Sequence, residues 1–579
     1  MTNRSRLTID GVFDIETEAW DSFVCGAILT RKGYQHFWYD SEDDMVDRLL
    51  RFEGVLWAHN GGKFDVIWFL SHLVKRDISK VRVSLAGQRI VSLKYRELTI
   101  RDSAALLPMS LVKAAELGGE QKEKTGLPCE CGNACGGYCA IKRSMPAAHR
   151  RLLAGYLRQD CVATLSALDA LQSFADTHDL DLTGTIGMSA WKCASRELDI
   201  PKADWSTTSE YEFSRRAYFG GRCQVFRTQA VAGYRYDINS AYPAALASLS
   251  LPTGERTFLA SKKASRAFED GKPGLFSASL EVPKMFIPPI PVRLKDRIAY
   301  PYGKVEGVWT SIEIQYALSQ GVKLSSIGRA MVWSSEAKIL EPFCRRVWGL
   351  RDMVGPKTAF GLFLKLYANS LTGKFAQNPE VETIKIDSVN NHFGKGWFPL
   401  DIRQTIWACP GYSIAPCAYI EWAAYLTAYT RIKLHEQITG DRLHGQTAVY
   451  CDTDSCISIA PRTKSIGLAL GEWKYEGTFR DFEARAPKTY AYTDDGGEFF
   501  AKAKGIPNAS ANWQHLRNGV PIDRGVASLR AAARDSSKLF RRKAMVRKVD
   551  PDGIHFGDRI LGESFLTYPQ HISNLVPRE

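Results

Sequence analysis

The sequence VYCDTDSC, residues 449–456, decides the interpretation of this chain. Asp452 and Asp454 flank a single threonine between two short apolar runs, a pattern that predicts a β-hairpin with both acids at its turn. A turn on a rigid hairpin can present two carboxylates to one ligand. The alternative is a turn whose acids cap their own backbone.

Two upstream segments add to this hairpin. In YDINSAYP, Asp237 ends a predicted strand, and the chain then turns into a helix whose first amides can approach phosphate oxygens, with Tyr242 beside them. In KLYANSLTGKF, Lys365, Asn369 and Gly373 recur every four residues and form one stripe of a helix. The lysine cation, the asparagine amide and the space beside the glycine suit a nucleoside triphosphate lying along that helix.

A second set of acids lies near the N-terminus. In FDIET, Asp14 and Glu16 are two apart on a predicted strand and project from the same face. The pair repels itself unless a positive charge lies between, and a divalent metal would supply it. A D-x-E pair is also common on exposed strands that bind no metal.

Two later segments extend this second set. AHNGGKFDVIWFL places Asp65 after a glycine-rich turn, with Asn60 and Phe64 before it. GYLRQDCVATLSAL places Tyr156 and Asp160 one helical turn apart, so that a phenol and a carboxylate face the same point. Tyr156 could orient an attacking water.

In chain order, these segments resemble the motifs of the family B DNA polymerases. D-x-E, Asn with Phe-Asp, and Tyr-x3-Asp resemble the three exonuclease motifs, and YDINSAYP, KLYANSLTGKF and YCDTDS resemble polymerase motifs A, B and C. The resemblance implies an α/β and α+β multidomain fold. An RNase H-like 3′-to-5′ exonuclease domain would precede a right-hand polymerase domain with palm, fingers, thumb and insertions, giving a DNA-directed DNA polymerase that proofreads.

The resemblance also implies residue roles and cofactors, with two Mg²⁺ or Mn²⁺ ions in each active site. In the exonuclease site, the metal ligands it implies are Asp14, Glu16, Asp65 and Asp160. Tyr156 would be the phenol that orients the water, and Asn60 and Phe64 would contact the single-stranded primer end. In the polymerase site, the principal metal ligands it implies are Asp237 and Asp454, with Asp452 as an accessory ligand. Tyr242 would be the sugar gate, and Lys365 and Asn369 would contact the incoming nucleotide.

The sequence departs from the family pattern at several positions. Ser103 in RDSAALL resembles a strand-binding position, but Ala104 replaces the usual leucine. Thr372 stands where motif B usually has tyrosine, so the role of that tyrosine in the nucleobase pocket is not assigned to Thr372. Gly361 stands where a relative has a second triphosphate lysine, and Arg351 or Lys357 is a candidate substitute.

Three short segments resemble the protein-primed branch of the family. They are YFGGR, LTAYTR and KTY, and the resemblance implies DNA contacts at Tyr218, Gly220, Gly221, Thr427, Arg431, Lys488 and Tyr490. The long spacings between motifs A, B and C leave room for two insertions. In that branch the insertions bind a terminal protein and encircle DNA, which implies initiation on a terminal-protein hydroxyl and replication of a linear phage or plasmid genome by strand displacement.

These resemblances predict the following domain order: exonuclease 1–185; first part of the palm 186–250; an insertion resembling terminal-protein region 1, 251–340; fingers 341–378; an insertion resembling terminal-protein region 2, 379–415; second part of the palm 416–520; thumb 521–579. The expected partners are template and primer DNA, deoxynucleoside triphosphates and a terminal protein. We expect a monomer.

The composition agrees with a DNA-binding protein. The chain has 579 residues, a formal net charge of +13 and a pI near 9.0, which favour polyanionic partners. The N-terminus has no apolar signal segment, and no apolar run is long enough to span a membrane, so we expect a cytoplasmic protein, in the host cytoplasm if viral.

Four cysteines form a cluster with no counterpart in the motifs: Cys129, Cys131, Cys135 and Cys139. Four thiolates with intervening glycines suit a tetrahedral Zn²⁺. The first spacing, C-x-C, is tighter than the usual C-x2-C. Structural zinc and unligated or redox-labile thiols therefore stay open as alternatives.

Two other functions also stay open. One is a family B polymerase that is primer-independent or primed by nucleic acid. The other is a non-catalytic DNA-binding replication scaffold, which would have no chemical reason to keep two sets of acids.

Overall fold

The computed structural model describes residues 4–18, 22–76, 78–86, 89–123, 125–128, 138–200, 203–294, 298–387, 392–394, 396–400, 406–440, 445–462, 464–506 and 509–518, and the backbone of five short strands beyond them. The chain divides into two compact units. The first comprises Met1–Pro201, Val347–Ala415 and Gly525–Lys543, and the second Lys202–Arg346, Pro416–Arg524 and Ala544–Glu579.

The described helices are α1 (Glu42–Leu50), α2 (Asp65–Lys75), α3 (Leu111–Ala115), α4 (Ala147–Thr177), α5 (Ile186–Glu197), α6 (Thr208–Ala217), α7 (Ala241–Ser248), α8 (Ser261–Glu269), α9 (Ser311–Ser319), α10 (Glu341–Val354), α11 (Ala359–Phe375), α12 (Ile420–Thr439) and α13 (Trp513–Arg517). Within the described ranges, no helix is both long and apolar enough to cross a membrane.

The described strands are β1 (Gly11–Glu18), β2 (Ser22–Thr30), β3 (Gly33–Trp38), β4 (Gly54–Ala58), β5 (Val81–Ala86), β6 (Arg89–Tyr95), β7 (Leu98–Asp102), β8 (Cys223–Val225), β9 (Gln229–Ile238), β10 (Leu251–Ala260), β11 (Gly274–Val282), β12 (Val292–Arg293), β13 (Ile298–Ala299), β14 (Gly303–Thr310), β15 (Lys323–Ala337), β16 (Glu380–Ile386), β17 (Phe398–Pro399), β18 (Ile406–Tyr412), β19 (Ala448–Asp452), β20 (Ser455–Ser458), β21 (Trp473–Ala486), β22 (Thr489–Asp494), β23 (Phe499–Ala503), β24 (Ile522–Gly525), β25 (Arg542–Met545), β26 (Val549–Asp550), β27 (Gly553–Phe556) and β28 (Arg559–Gly562).

The first unit is built on a ten-stranded sheet with the order β17-β18-β16-β5-β6-β7-β4-β1-β2-β3. β1 pairs parallel with β4 and antiparallel with β2, which places its acids in the interior of the sheet. The apolar helix α2 is buried along almost its whole length, and its residues Trp68 and Phe69 belong to the main core of this unit. The acids of β1 therefore lie on a rigid, well-packed scaffold.

The segment predicted as the second insertion, 379–415, adds strands to this same sheet. β16 pairs with β5 through Ile384 opposite Val83, and with β18 on its other side. The preceding helix α11 also belongs to the first unit, where the Tyr367 hydroxyl donates to the carbonyl oxygens of Asp181 and Ser189. The predicted domain boundaries stay predictions.

The second unit contains a seven-stranded antiparallel sheet with the order β23-β22-β21-β9-β20-β19-β8. The segment predicted as the first insertion folds into a separate four-stranded sheet, β10-β15-β11-β14, whose core includes Trp309 and Phe276. The predicted thumb, 521–579, lies mostly outside the described residues, which there comprise only strands β24 to β28.

Candidate active sites

In the first unit, three acids meet at one point. Asp14 and Glu16 on β1 and Asp160 on α4 each offer a carboxylate oxygen, and these oxygens all lie within 4.8 Å of one another. Asp65, the first residue of α2, is adjacent because its Oδ1 accepts the backbone N–H of Ile15 at 3.0 Å. The four predicted exonuclease acids are thus brought together.

The glycine-rich turn before α2 makes this approach possible. Asn60 adopts a left-handed conformation with φ of 60°, and a Cβ on Gly62 would lie 1.8 Å from the carbonyl oxygen of Ile90. Only glycine fits where the turn passes this close to the backbone of β6. The turn therefore delivers Asp65 to the start of a buried helix.

Burial and the charges of neighbouring acids oppose the ionisation of Asp14 and Glu16. Burial raises the pKa of Asp14 well above its ordinary value, and the charges of Asp65, Asp160 and Glu16 raise it further. Burial, with the charges of Asp160 and Asp65, raises the pKa of Glu16 to about 8. Burial also raises the pKa of Asp65 to about 7. Such a set of hard oxygen donors fits a divalent cation, which would relieve the repulsion.

A lysine not identified from the sequence contacts this cluster. Lys122 Nζ lies 2.8 Å from Asp160 Oδ1 and donates to the Tyr156 hydroxyl at 2.9 Å. The Tyr138 hydroxyl lies 3.0 Å from that of Tyr156. In EQKEKTG, Lys122 is one of several charged residues and has no diagnostic spacing to the acids. Only its contacts in the folded chain identify Lys122 as part of the acid cluster.

The predicted primer-end residues differ in exposure. Asn60 is exposed, and its Oδ1 accepts from Arg89 Nη2 at 3.0 Å. Phe64 is half-buried and packs against the main core of the first unit. Ser103 is fully buried, with its hydroxyl 3.0 Å from His59 Nδ1.

In the second unit, the predicted hairpin is confirmed. β19 and β20 are antiparallel, Asp452 pairs with Ser455, and only Thr453 and Asp454 lie between the strands. Ser455 pairs in turn with Asp237 on β9, and the carbonyl oxygen of Asp454 accepts from the backbone N–H of Ile238 at 2.7 Å. Motifs A and C therefore lie side by side on adjacent strands.

The accessory acid, Asp452, is paired with a lysine. Asp452 Oδ1 accepts from Lys488 Nζ at 2.8 Å. Within the described part of the chain, the exonuclease acids are the only group of three with ligand atoms within 4.8 Å. Of the three acids predicted for the polymerase site, Asp237 and Asp452 lie on one sheet and Asp454 in its hairpin turn, and they do not converge as closely.

Motif A continues from its strand as expected from the sequence. β9 ends at Ile238, Ser240 takes a left-handed φ of 58°, and α7 begins at Ala241. Burial raises the pKa of Tyr242 to about 12, and the nearby Tyr218 and Asp454 contribute to this rise. Tyr242 therefore lies near both an acid of motif C and the tyrosine of YFGGR.

Lys488 and Tyr490 line a cavity of about 410 Å³ beside Asp452, together with Lys502, Lys504 and Ser510. Tyr490 is buried and packs on Tyr450, with ring centroids 4.7 Å apart. The cavity combines three lysines with the accessory acid, so its charged residues are net positive.

Thr427 and Arg431 are buried in α12, where their side chains contact the protein itself. The Thr427 hydroxyl donates to the carbonyl oxygen of Ala423 in its own helix at 2.9 Å. Arg431 donates from Nε to Glu313 Oε1 at 2.8 Å, and from Nη1 to the carbonyl oxygens of Phe219 and Gly220. Thr427 therefore bonds within its own helix, and Arg431 links α12 to α9 and to the backbone of YFGGR.

The predicted motif B helix is confirmed as α11. Lys365 and Asn369 are half-buried and Gly373 is exposed. Gly361 has a structural explanation, because a Cβ there would lie 2.1 Å from the carbonyl oxygen of Gly355. A larger residue cannot fit without moving the turn before the helix, whereas Thr372 is simply buried.

The predicted zinc cluster is largely undescribed. Cys129, Cys131 and Cys135 lie outside the described residues, and Cys139 is exposed. The zinc prediction stays a prediction.

Comparison with known proteins identifies relatives along most of the chain. The DNA-directed DNA polymerase of Enterobacteria phage PRD1 is 25% identical over 538 residues, covering 85% of each chain. The DNA polymerase of Bacillus phage phi29 is 25% identical over 297 residues, covering 48% of each chain.

Solved structures of phi29 DNA polymerase share the fold. One crystal form gives a TM-score of 0.68 at 17% identity, covering 90% of this chain and 97% of that one. The complex with primer-template DNA and incoming nucleotides gives a TM-score of 0.67, covering 91% and 98%. The fold expected from the sequence is therefore confirmed.

A model of the family described as "DNA polymerase type B, organellar and viral" matches residues 142–438, just over half of the chain. With the motif A and C acids on adjacent strands, this match establishes that the chain belongs to the organellar and viral type B DNA polymerases and is a DNA-directed DNA polymerase.

Proposed function

We propose that this polymerase also degrades DNA from the 3′ end in its first unit, and that it starts replication on a terminal protein in the cytoplasm of its host. The observation that carries the exonuclease proposal is the convergence of Asp14, Glu16 and Asp160 within 4.8 Å. Crowded buried acids, two of which have pKa values raised by the charges of their neighbours, have little structural use without a cation.

In the proposed exonuclease site, Asp14, Glu16, Asp65 and Asp160 would hold Mg²⁺ or Mn²⁺. Such ions, when bound, would supply a hydroxide at neutral pH and stabilise the leaving oxygen of the phosphodiester. Lys122 fixes the position of Asp160 and donates to the Tyr156 hydroxyl, which leaves the phenol O–H able to orient the attacking water through a hydrogen bond. Asn60 and Phe64 bind the single-stranded primer end.

In the proposed polymerase site, Asp237 and Asp454 would hold the two ions that activate the primer hydroxyl and bind the triphosphate. Asp452 is an accessory ligand. Tyr242 excludes the ribose 2′-hydroxyl. Lys365 and Asn369 of α11 bind the incoming nucleotide.

The proposed DNA contacts fall into two groups. Tyr218, Gly220, Gly221, Lys488 and Tyr490 contact template or primer. Thr427 and Arg431 contribute indirectly, since Arg431 holds the carbonyl groups of Phe219 and Gly220 in YFGGR.

Two single substitutions separate the two activities. Asp14→Ala should abolish degradation of single-stranded DNA and preserve primer extension, because it removes one acid from the first site only. Asp454→Ala should abolish primer extension and preserve degradation. Both are measured with one labelled primer on the full chain, with and without nucleotides. Degradation that survives Asp14→Ala would refute the exonuclease assignment.

Terminal-protein priming is supported by similarity to the phage relatives and by YFGGR and KTY. Its test is the incorporation of a labelled deoxynucleotide into a protein co-expressed from the same genome, on template that carries no primer. The expected product is a labelled protein that survives denaturation and nuclease treatment. Labelled nucleic acid without protein would favour a nucleic-acid-primed or primer-independent enzyme.

A further inference from the structure

The geometry points to Gly221 and Arg222 as positioning residues for the catalytic turn of motif C, a role distinct from contact with template. The inference rests on the proposed assignment of Asp452 and Asp454 to the polymerase site. It concerns the segment Gly221–Val225, which we call the brace, and the turn Thr453–Asp454.

The turn itself is strained. Thr453 has a left-handed φ of 60°, a conformation that is unusual for a β-branched residue. With only two residues between β19 and β20, a change at Thr453 moves Asp454 directly. The chain must therefore hold Thr453 from outside the hairpin.

The brace contacts Thr453 through its backbone. The Thr453 N–H donates to the carbonyl oxygen of Arg222 at 2.6 Å. The brace then continues as β8, in which Cys223 pairs with Asp452 and Gln224 with Cys451. One short segment thus fixes both the turn and the strand that enters it.

Gly221 is required by the closeness of this contact. A Cβ at position 221 would lie 2.7 Å from Thr453 Cγ2, 2.8 Å from Oγ1 and 3.0 Å from Cβ. Both heavy substituents of Thr453 Cβ are too close, and with two heavy atoms in three staggered positions, rotation always leaves one of them on the crowded side, so it cannot relieve the clash. The turn would have to move, whereas a Cβ on the neighbouring Gly220 would meet open space.

The Arg222 side chain anchors the carbonyl group that accepts from Thr453. Arg222 is 1% exposed, and its guanidinium donates to the carbonyl oxygen of Pro288 at 2.9 Å and to Gln224 Oε1 at 2.7 Å. The guanidinium carbon lies 3.9 Å from the ring centroid of Tyr300. A buried cation held by neutral oxygens and an aromatic face fixes the brace without adding a competing acid near the catalytic ones.

The test is a double-mutant cycle in the full chain: Gly221→Ala, Thr453→Gly and the combination. Gly221→Ala should lower kcat for primer extension by about 10- to 100-fold, since small displacements of reacting groups have effects of this size. Amide exchange in the turn should accelerate, because the Thr453 N–H loses its acceptor. The combination should recover at least about fivefold of the lost rate, because glycine at 453 frees the space that the new Cβ needs.

Gly328→Ala is the matched control, because an added Cβ there makes only ordinary contacts at 3.7 Å or more. The inference is overturned if Gly221→Ala extends primers as Gly328→Ala does, or if the double variant is no faster than Gly221→Ala. If Gly221→Ala fails to fold, folding of the double variant supports the contact, and its failure overturns it. Extension that survives Asp454→Ala would instead refute the assignment of the turn to catalysis.

Discussion

The two proposed active sites each hold a carboxylate against a lysine at the same distance, but in different surroundings. Lys122 Nζ lies 2.8 Å from Asp160, and Lys488 Nζ lies 2.8 Å from Asp452. The first pair is nearly inaccessible, with Lys122 6% exposed, whereas Lys488 is 43% exposed and lines an open cavity. Equal geometry therefore does not imply equal function.

The difference teaches how each site can use its lysine. Lys122 lies beside the acid cluster in a low-dielectric interior where a single charge acts strongly, and its charge lowers the pKa values of Asp14, Glu16 and Asp160. Lys488 is paired with Asp452, lies near Asp454 and faces solvent, where the same contact is worth little and is easily exchanged for a phosphate of DNA. We infer a fixed lysine in the exonuclease site and an exchangeable one in the polymerase site.

The largest expected effect is at Lys122. Lys122→Met should lower the rate of single-strand degradation by about 10²- to 10³-fold, the usual cost of losing one preorganised donor in an active site. Lys122→Arg should recover part of that rate by keeping the charge. The measurement is degradation of a labelled oligonucleotide at saturating Mg²⁺. A Lys122→Met enzyme that degrades DNA at the wild-type rate would remove Lys122 from the mechanism.

A smaller effect is expected at Lys488. Lys488→Met should raise the primer-template concentration needed for half-maximal extension by about tenfold, which corresponds to about 1.4 kcal/mol. The slope of log affinity against log salt concentration should fall by about 1, since one phosphate contact is lost. An unchanged slope would mean that Lys488 stays on Asp452 when DNA binds, and the two lysines would then be alike.

Much of both sites could be predicted from local sequence patterns. The spacing of Asp452 and Asp454 predicted a hairpin, and the four-residue spacing of Tyr156 and Asp160 predicted one face of a helix; both are confirmed. These features depend on the geometry of one element. Period and turn chemistry therefore suffice to predict them.

Contacts between distant elements could not be predicted in this way. Lys122 is 34 residues from the Tyr156 that it contacts, and Arg431 is 118 residues from Glu313. Arg431 was predicted to contact DNA from a short motif, but a motif does not tell whether a charged side chain faces solvent or a buried partner. The packing of separate elements decides whether such a side chain is exposed or buried, and a single sequence carries no direct signal of that packing.

The smallest expected effect concerns stability of the metal-free protein. Glu16 and Asp65 have pKa values raised to about 8 and about 7 in the folded chain, against about 4 when unfolded. Between pH 4 and 8 the folded state therefore holds protons that the unfolded state has released. Stability from this source is complete below about pH 4 and is lost as the pH rises towards 8.

In chelator, the melting temperature of the first unit should therefore fall between pH 5 and 8, and Mg²⁺ should reduce the fall. Glu16→Gln removes one titrating acid, and should reduce the fall by at least about 2–4 °C, the shift that 1 kcal/mol produces in a domain of this size. Asp452→Asn is the matched control, because it removes an acid held by lysine rather than one crowded by other acids. A crowded cluster of charges should destabilise the metal-free fold more at high pH than a single acid paired with lysine does. If melting temperature falls with pH equally steeply in the two variants, repulsion among the exonuclease acids does not distinguish the two sites.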